Sequence, residues 1–332
     1  MGGELIRLPL ASKNPVSIWR NARSLQEISH AEGVTVMHAR SRAPAWSARV
    51  AAHREGIPFV TTYHGVYSEH GAIKRFYNSV MASGDAVIAN SAFTADTIRK
   101  RYGTPEDRLY TIPRGVDFEV FRRNSIDISR IENLHNRLRC HNCDLSSNTI
   151  FLLPARLTRW KGQVVAIEAC KTLADRGISD FLLLIAGDDQ GRSSYRDELT
   201  SLISQYGLGQ RVLLTGDVED IAAAYSISNF VVVPSIEPEA FGRTAVEAQA
   251  MGRPVIASNG GALSETVLDE VTGWHVQPGS SLALANAMMK ALNIGVDRYK
   301  LMSEAAFFHA KDRYCISNMV SDTINVYAHL LT

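Results

Sequence analysis

Short apolar runs rich in β-branched residues alternate with amphipathic stretches along almost the whole chain. VTVMHA (34–39), PFVTTYH (58–64), AVIAN (86–90), LYTIP (109–113), TIFLLPA (149–155), FLLLIAG (181–187), RVLLTG (211–216), FVVVPS (230–235) and PVIAS (254–258) predict strands. Their near-continuous apolarity suits parallel sheets covered by helices on both faces. The spacing between them predicts helices over 15–32, 92–102, 162–176, 195–206, 243–251 and 282–292. Ser91 is placed to cap the helix after AVIAN, while Gly252 and Pro254 stop the one that begins near Arg243.

The alternation breaks once, over the polar, charge-rich stretch 117–148. A domain boundary is expected there. The first domain would span 1–125, the second 126–312, and residues 313–332 would form a C-terminal helix packing back towards the first domain. A length of 332 residues is ample for two cores.

Charge sharpens this division. Lys and Arg number 35 against 34 Asp and Glu, a balance without the basic excess of a nucleic-acid binder. Residues 1–125 nevertheless hold 17 basic and 11 acidic side chains, leaving 18 and 23 for the remainder, so the first domain is basic and the second acidic. A basic domain suits contact with an anionic surface such as a membrane leaflet, or simply a solvated face. No apolar run is long enough to span a bilayer and MGGELIRLPL lacks a signal-peptide pattern, so a cytoplasmic location is expected, with peripheral contact at the inner face of a membrane. Four cysteines do not form a disulfide framework. Cys140 and Cys143, with His135 and His141 nearby, could begin a zinc site, but a second ligand pair is missing and no metal is expected.

Two segments carry candidate chemistry. In FLLPARLTRWKGQVVAIEA, Arg156 and Lys161 stand on a short loop between a strand and a helix, where two cations and a helix N-terminus suit a diphosphate. Solvated loop charges are the alternative. In EPEAFGRTAVEAQAMGRP, Glu239 lies on a loop and Glu247 on the following helix, with seven residues between them. Carboxylates suit vicinal hydroxyls, and Phe241, Gly242, Arg243 and Thr244 offer backbone N–H groups at the helix start. Glu237 competes for either carboxylate role. No Asp-x-Asp metal motif accompanies them, since Asp188 and Asp189 are adjacent.

These motifs, with YHG (63–65), ANSAF (89–93), IPRGVD (112–117), AGDDQGR (186–192) and TGWHVQPG (272–279), resemble the retaining glycosyltransferases of family 4, which have the GT-B fold. The resemblance implies two Rossmann-like α/β domains with parallel sheets facing across a cleft. It implies that Arg156 and Lys161 bind the leaving diphosphate, that Glu239 holds the donor sugar and Glu247 the ribose, and that the base lies near Val218. It further implies that His64 faces the donor sugar; read alone, His64 is better explained as a core or capping histidine. HARSRAPAW, TTYHGVY and RFYNSVMA look most similar to bacterial lipopolysaccharide-core mannosyltransferases. That implies GDP-mannose, or another nucleotide sugar such as a UDP-sugar, as donor, and a glycan or glycolipid as acceptor, without a cofactor.

The family's first strand and its Gly-Gly turn have no counterpart ahead of His38, which leaves the first domain short at its N-terminus by about two βαβ-scale pieces. Weakened or absent turnover is expected for such a chain. Two other readings remain open: a non-catalytic sugar-nucleotide-binding protein, and a GT-B-type sugar-nucleotide epimerase.

Overall fold

The computed structural model describes residues 3–65, 67, 71–122, 126–139 and 148–332. The chain divides into two compact units, 1–113 together with 317–332, and 114–316. The division falls ahead of the polar stretch rather than within it.

In the first unit, α1 (Pro15–Glu32), β1 (Met37–Ala39), α2 (Arg42–Glu55), β2 (Phe59–Tyr63), α3 (Ala72–Ser79), β3 (Ala86–Ala89), α4 (Ala92–Tyr102) and β4 (Leu109–Thr111) follow in order. Their strands form a parallel sheet in the order β1-β2-β3-β4. Local chemistry sets the helix ends. Asn14 accepts the Val16 N–H ahead of Pro15, Gly33 closes α1 in the left-handed region, and Ser91 accepts the Thr94 N–H at the head of α4.

The second unit carries α5 (Ile128–Arg139), β5 (Thr149–Pro154), α6 (Gln163–Asp175), β6 (Phe181–Ala186), α7 (Ser193–Gln205), β7 (Val212–Gly216), α8 (Ile221–Ile227), β8 (Phe230–Val233), α9 (Arg243–Ala250), β9 (Val255–Ser258), α10 (Leu263–Thr266), β10 (Gly273–Val276), α11 (Ser281–Leu292) and α12 (Val296–Arg313). Its sheet, also parallel, runs β10-β9-β8-β5-β6-β7. Alternate residues of β5 feed two cores: Ile150 and Leu152 pack on one face, Phe151 and Leu153 on the other. Helices cover both faces, hence the unbroken apolar runs.

The last helix, α13 (Ile316–Leu330), places Val326, Met319 and Tyr327 against Val60, Ala86 and Ile88 of the first unit's sheet. The helices α2, α3, α8, α10 and α12 add to those read from the sequence, and two further elements depart from that reading. The polar stretch contains α5, whose Leu134 and Leu138 are buried, and GWHV forms β10 at the sheet edge. The candidate zinc residues Cys140, His141 and Cys143 lie outside the described residues. Among the described residues no helix is long and apolar enough to cross a membrane, and no three His, Cys, Asp or Glu side chains gather as metal ligands would.

Candidate active site

The order of the second sheet reverses at β5, which pairs with β6 on one side and β8 on the other. Loops leaving the carboxyl ends of two such strands diverge and open a crevice, the usual ligand position in open α/β sheets. Both candidate motifs leave this point: the Arg156–Lys161 loop follows β5, and the Glu239 loop follows β8.

The two loops are braced together. Ile236 N–H donates to Trp160 O at 2.8 Å. Gly162 turns into α6 at φ +74°, where a Cβ would lie 2.0 Å from Pro234 O, so the close approach requires glycine. Gly261, at φ +63°, has the same role on the other side. An added Cβ there would meet Glu239 O at 2.3 Å, and Ala262 N–H donates to that carbonyl. The backbone of Glu239 is thus held from two directions.

Lys161 Nζ lies 2.6 Å from Glu239 Oε1, with the two side chains 13% and 9% exposed. Ser235 Oγ donates to the same oxygen at 2.5 Å, and Lys161 Nζ sits 4.2 Å from the Trp160 ring centre. The sequence reading gave Lys161 and Glu239 separate ligand groups; here they hold each other. A pair this poorly hydrated persists only with close geometry and additional hydrogen bonds, which Ser235 supplies. Glu237, the competing carboxylate, is exposed.

Arg156 is exposed, 3.4 Å from Gln190 Oε1 through Nη1, while its carbonyl accepts from Gln163 Nε2. Asp188 and Asp189 are occupied by the turn after β6: they accept the Gln190 and Gly191 N–H groups, and Asp189 also pairs with Arg196 at 3.0 Å.

Phe241 is buried in edge-to-face contact with Tyr314, so what it offers a ligand is backbone. Gly242 heads α9 at φ +81° without a capping side chain, leaving the first turn, Arg243 and Thr244, suited to an anion. One turn on, Glu247 is 7% exposed. It accepts from Arg243 Nε at 2.6 Å and from Tyr225 Oη at 3.1 Å. Burial raises its pKa, opposed by the Arg243 and Arg114 charges. Burial and the neighbouring carboxylate push the Tyr225 phenol well above its usual range, so it stays a donor. A hollow of about 240 Å³ beside Glu247 is lined by Gly115, Asp117, Phe121, Phe241 and Arg243.

Two candidates remain. Val218 follows β7, two strands along from β5, half-buried against the core. His64 belongs to the first unit, just past β2, where its Nε2 accepts from Arg40 Nε at 3.2 Å. Sequence reasoning missed Ser235, Tyr225 and Arg40. Only their folded neighbours reveal them, although Ser235 ends the FVVVPS run on which Glu239 depends.

Two parallel-sheet α/β units, with cations and carboxylates converging at a switch point, define a glycosyltransferase of the GT-B class. Residues 145–307 match the family described as Glycosyl transferases group 1, and residues 3–120 match Glycosyltransferase Family 4. The chain is 30% identical over 294 residues to the D-inositol 3-phosphate glycosyltransferase of Xylanimonas cellulosilytica, covering 84% of this chain and 68% of that one. A second such enzyme, from Catenulispora acidiphila, is 28% identical over 83% of this chain and 68% of its own. A crystal structure of a glycosyltransferase from Rickettsia africae matches with a TM-score of 0.90 and 34% identity, over 98% of this chain and 85% of that one. Anabaena Alr3699/HepE, crystallised with UDP and glucose, shares the fold at 24% identity and a TM-score of 0.80, over 93% of this chain and 81% of its own. The chain belongs to the group 1, family 4 glycosyltransferases. These curated relatives carry inositol-phosphate names, which broadens the resemblance to lipopolysaccharide-core mannosyltransferases into one to the family as a whole.

Proposed function

We propose that the protein transfers a hexose from a nucleoside-diphosphate sugar, with retention of configuration, to a hydroxyl of a phosphorylated polyol or envelope glycan. The observation that carries this reading is the convergence of Lys161 and Glu239 from the neighbouring strands β5 and β8, beside the uncapped start of α9. Lys161 and Arg156 receive the diphosphate together with the N–H groups of Gly242, Arg243 and Thr244. Glu239 holds sugar hydroxyls and Glu247 the ribose, with the base towards the loop that contains Val218. His64, with Arg40 beside it, is the first unit's candidate for the reacting sugar. The acceptor oxygen bonds to the anomeric carbon as the bond from that carbon to the phosphate oxygen breaks. The hydroxyl proton leaves with the nucleoside diphosphate, whose growing charge the cations and amides offset.

Two donor–acceptor pairs divide the finer reading. The relatives' names favour an inositol phosphate acceptor; the motifs of the first unit favour GDP-mannose and a lipopolysaccharide core, with peripheral contact at a membrane. Titration calorimetry with UDP and GDP, followed by product analysis with each donor and both acceptors, separates them. Lys161→Ala is expected to weaken diphosphate binding by ~1.5–3 kcal/mol. Unchanged affinity rejects the phosphate role, and binding without transfer to any acceptor favours a non-catalytic nucleotide-sugar binder.

A further inference from the structure

The first unit carries an exposed face that its own packing leaves uncovered. On α3, Ile73 is 88% exposed and Phe76 68%, with Arg75 exposed between them. Phe76 packs on Trp46 of α2, ring centres 5.2 Å apart, and Trp46 Nε1 donates to Tyr77 O at 3.1 Å. Trp46 in turn walls a hollow of about 830 Å³ at the end of the sheet where β2 begins. Its floor includes Val50, Ile57 and Phe59, and its rim carries the exposed Arg49, His53, Arg54 and Arg108. Asp85, the one acid among the hollow's lining residues, is turned to the Phe59 N–H. Arg54 also lies over the ring of Trp19, itself 53% exposed.

We propose that this α2–α3 face seats the first unit on an anionic lipid bilayer. Ile73 and Phe76 enter the boundary between headgroups and acyl chains, the amphipathic Trp46 ring sits at headgroup level, and Arg49, Arg54 and Arg108 meet lipid phosphates around the hollow. Charge complementarity selects this occupant over a neutral apolar partner. Arg49, Arg54 and Arg108 line the hollow that Trp46 walls, in a unit whose residues, 1–113 and 317–332, hold 14 basic and 10 acidic side chains, and arginine stems can lie along apolar surface while their heads reach phosphate.

The proposal locates the membrane contact mentioned above but is independent of the transfer chemistry, because its test contains neither donor nor acceptor. The full chain is mixed with vesicles of phosphatidylcholine alone, or of phosphatidylcholine with phosphatidylglycerol, and sedimented. Tryptophan quenching by brominated lipid is read in parallel. Expected are binding to the anionic vesicles only, weakening as salt rises, quenching on binding, and at least a tenfold loss of partitioning in Ile73→Asp/Phe76→Asp and in Arg49→Glu/Arg54→Glu. Ile73→Asp alone, at the most exposed of these positions, gives a smaller loss with the thermal midpoint unchanged. No sedimentation, equal binding to neutral vesicles, or full binding by the folded variants overturns the proposal; so does saturable capture of an acidic protein by this face in the absence of vesicle binding.

Discussion

Lys161 and Glu239, separated by 78 positions in sequence, meet at 2.6 Å where the loops after β5 and β8 come together. The cation proposed for the leaving diphosphate is therefore already neutralised by the carboxylate proposed for the sugar. An incoming diphosphate has to draw Lys161 away from Glu239, and that frees the carboxylate for hydroxyls.

Glu239→Gln should separate these effects. With a weaker partner, Lys161 turns more readily to phosphate, so the free nucleoside diphosphate is expected to bind about 3- to 10-fold more tightly, roughly 1 kcal/mol. Transfer should fall sharply. Calorimetry and initial rates on the same preparation check both, and a loss of nucleoside diphosphate affinity would falsify the competition.

Tyr225 is expected to act through Glu247. Its hydroxyl is buried between Glu247 Oε2 and Thr244 O, at 3.1 and 3.3 Å. Tyr225→Phe should raise the donor KM several-fold, about 1 kcal/mol, with kcat held within a factor of two. An equal loss in kcat at unchanged KM would instead place the phenol in the chemical step.

Burial raises the Glu247 pKa, so the folded state favours the protonated form. The wild type should therefore lose stability as pH rises from the ordinary Glu value through the raised one, whereas Glu247→Gln should not. Donor affinity has the opposite slope, because hydroxyl binding uses the carboxylate. It should weaken as pH falls through the raised pKa, and Glu247→Gln should remove that dependence. Thermal midpoints and donor titrations across pH 4 to 8 test the two slopes.

His38 supplies a pH effect of the other sign. Its Nδ1 lies 2.5 Å from Tyr327 Oη and its Nε2 2.6 Å from Thr62 Oγ1, and burial together with the Arg40 charge lowers its pKa to about 4. A depressed imidazole pKa gives stability that is complete above the unfolded value near 6.5 and is lost as pH falls from there towards 4. Urea midpoints should accordingly drop more between pH 7 and pH 5 for the wild type than for His38→Gln. Because Tyr327 is on α13, the C-terminal helix should become protease-sensitive over the same interval.

Much of this architecture was legible in the chain. The apolar runs locate nine of the strands because both sheet faces are covered, and the cap at Ser91 follows from local chemistry. β10 escaped because GWHV is short and opens on a glycine that Val255 O closely approaches. α5 escaped because its apolar positions, Ile128, Ile131, Leu134 and Leu138, are set among charges that hide a helical period. Residue types and spacing identified Arg156, Lys161, Glu239 and Glu247 as candidates. They could not reveal that two of these pair, since that follows from which strand lies beside β5. Tyr225 and Ser235 were illegible for the same reason.

The glycine brace offers a stability test with an internal control. Gly162→Ala combines a left-handed backbone with a 2.0 Å approach to Pro234 O and should cost ~2–4 kcal/mol in urea unfolding. Gly33→Ala, at φ +61° with open space around it, should cost only ~1 kcal/mol. Equal costs would mean that the loops yield to the added methyl.

The pairing of β5 with β8 has one more consequence. Phe151 pairs with Phe230 and Leu152 with Val231, and these contacts link two strands far apart in sequence. A ligand that grips both emerging loops adds its binding energy to this seam and to no other part of the sheet. Substrate then acts as a folding clamp. Saturating nucleoside diphosphate should slow hydrogen exchange first in β5 and β8, leaving the edge strands β7 and β10 to open as before.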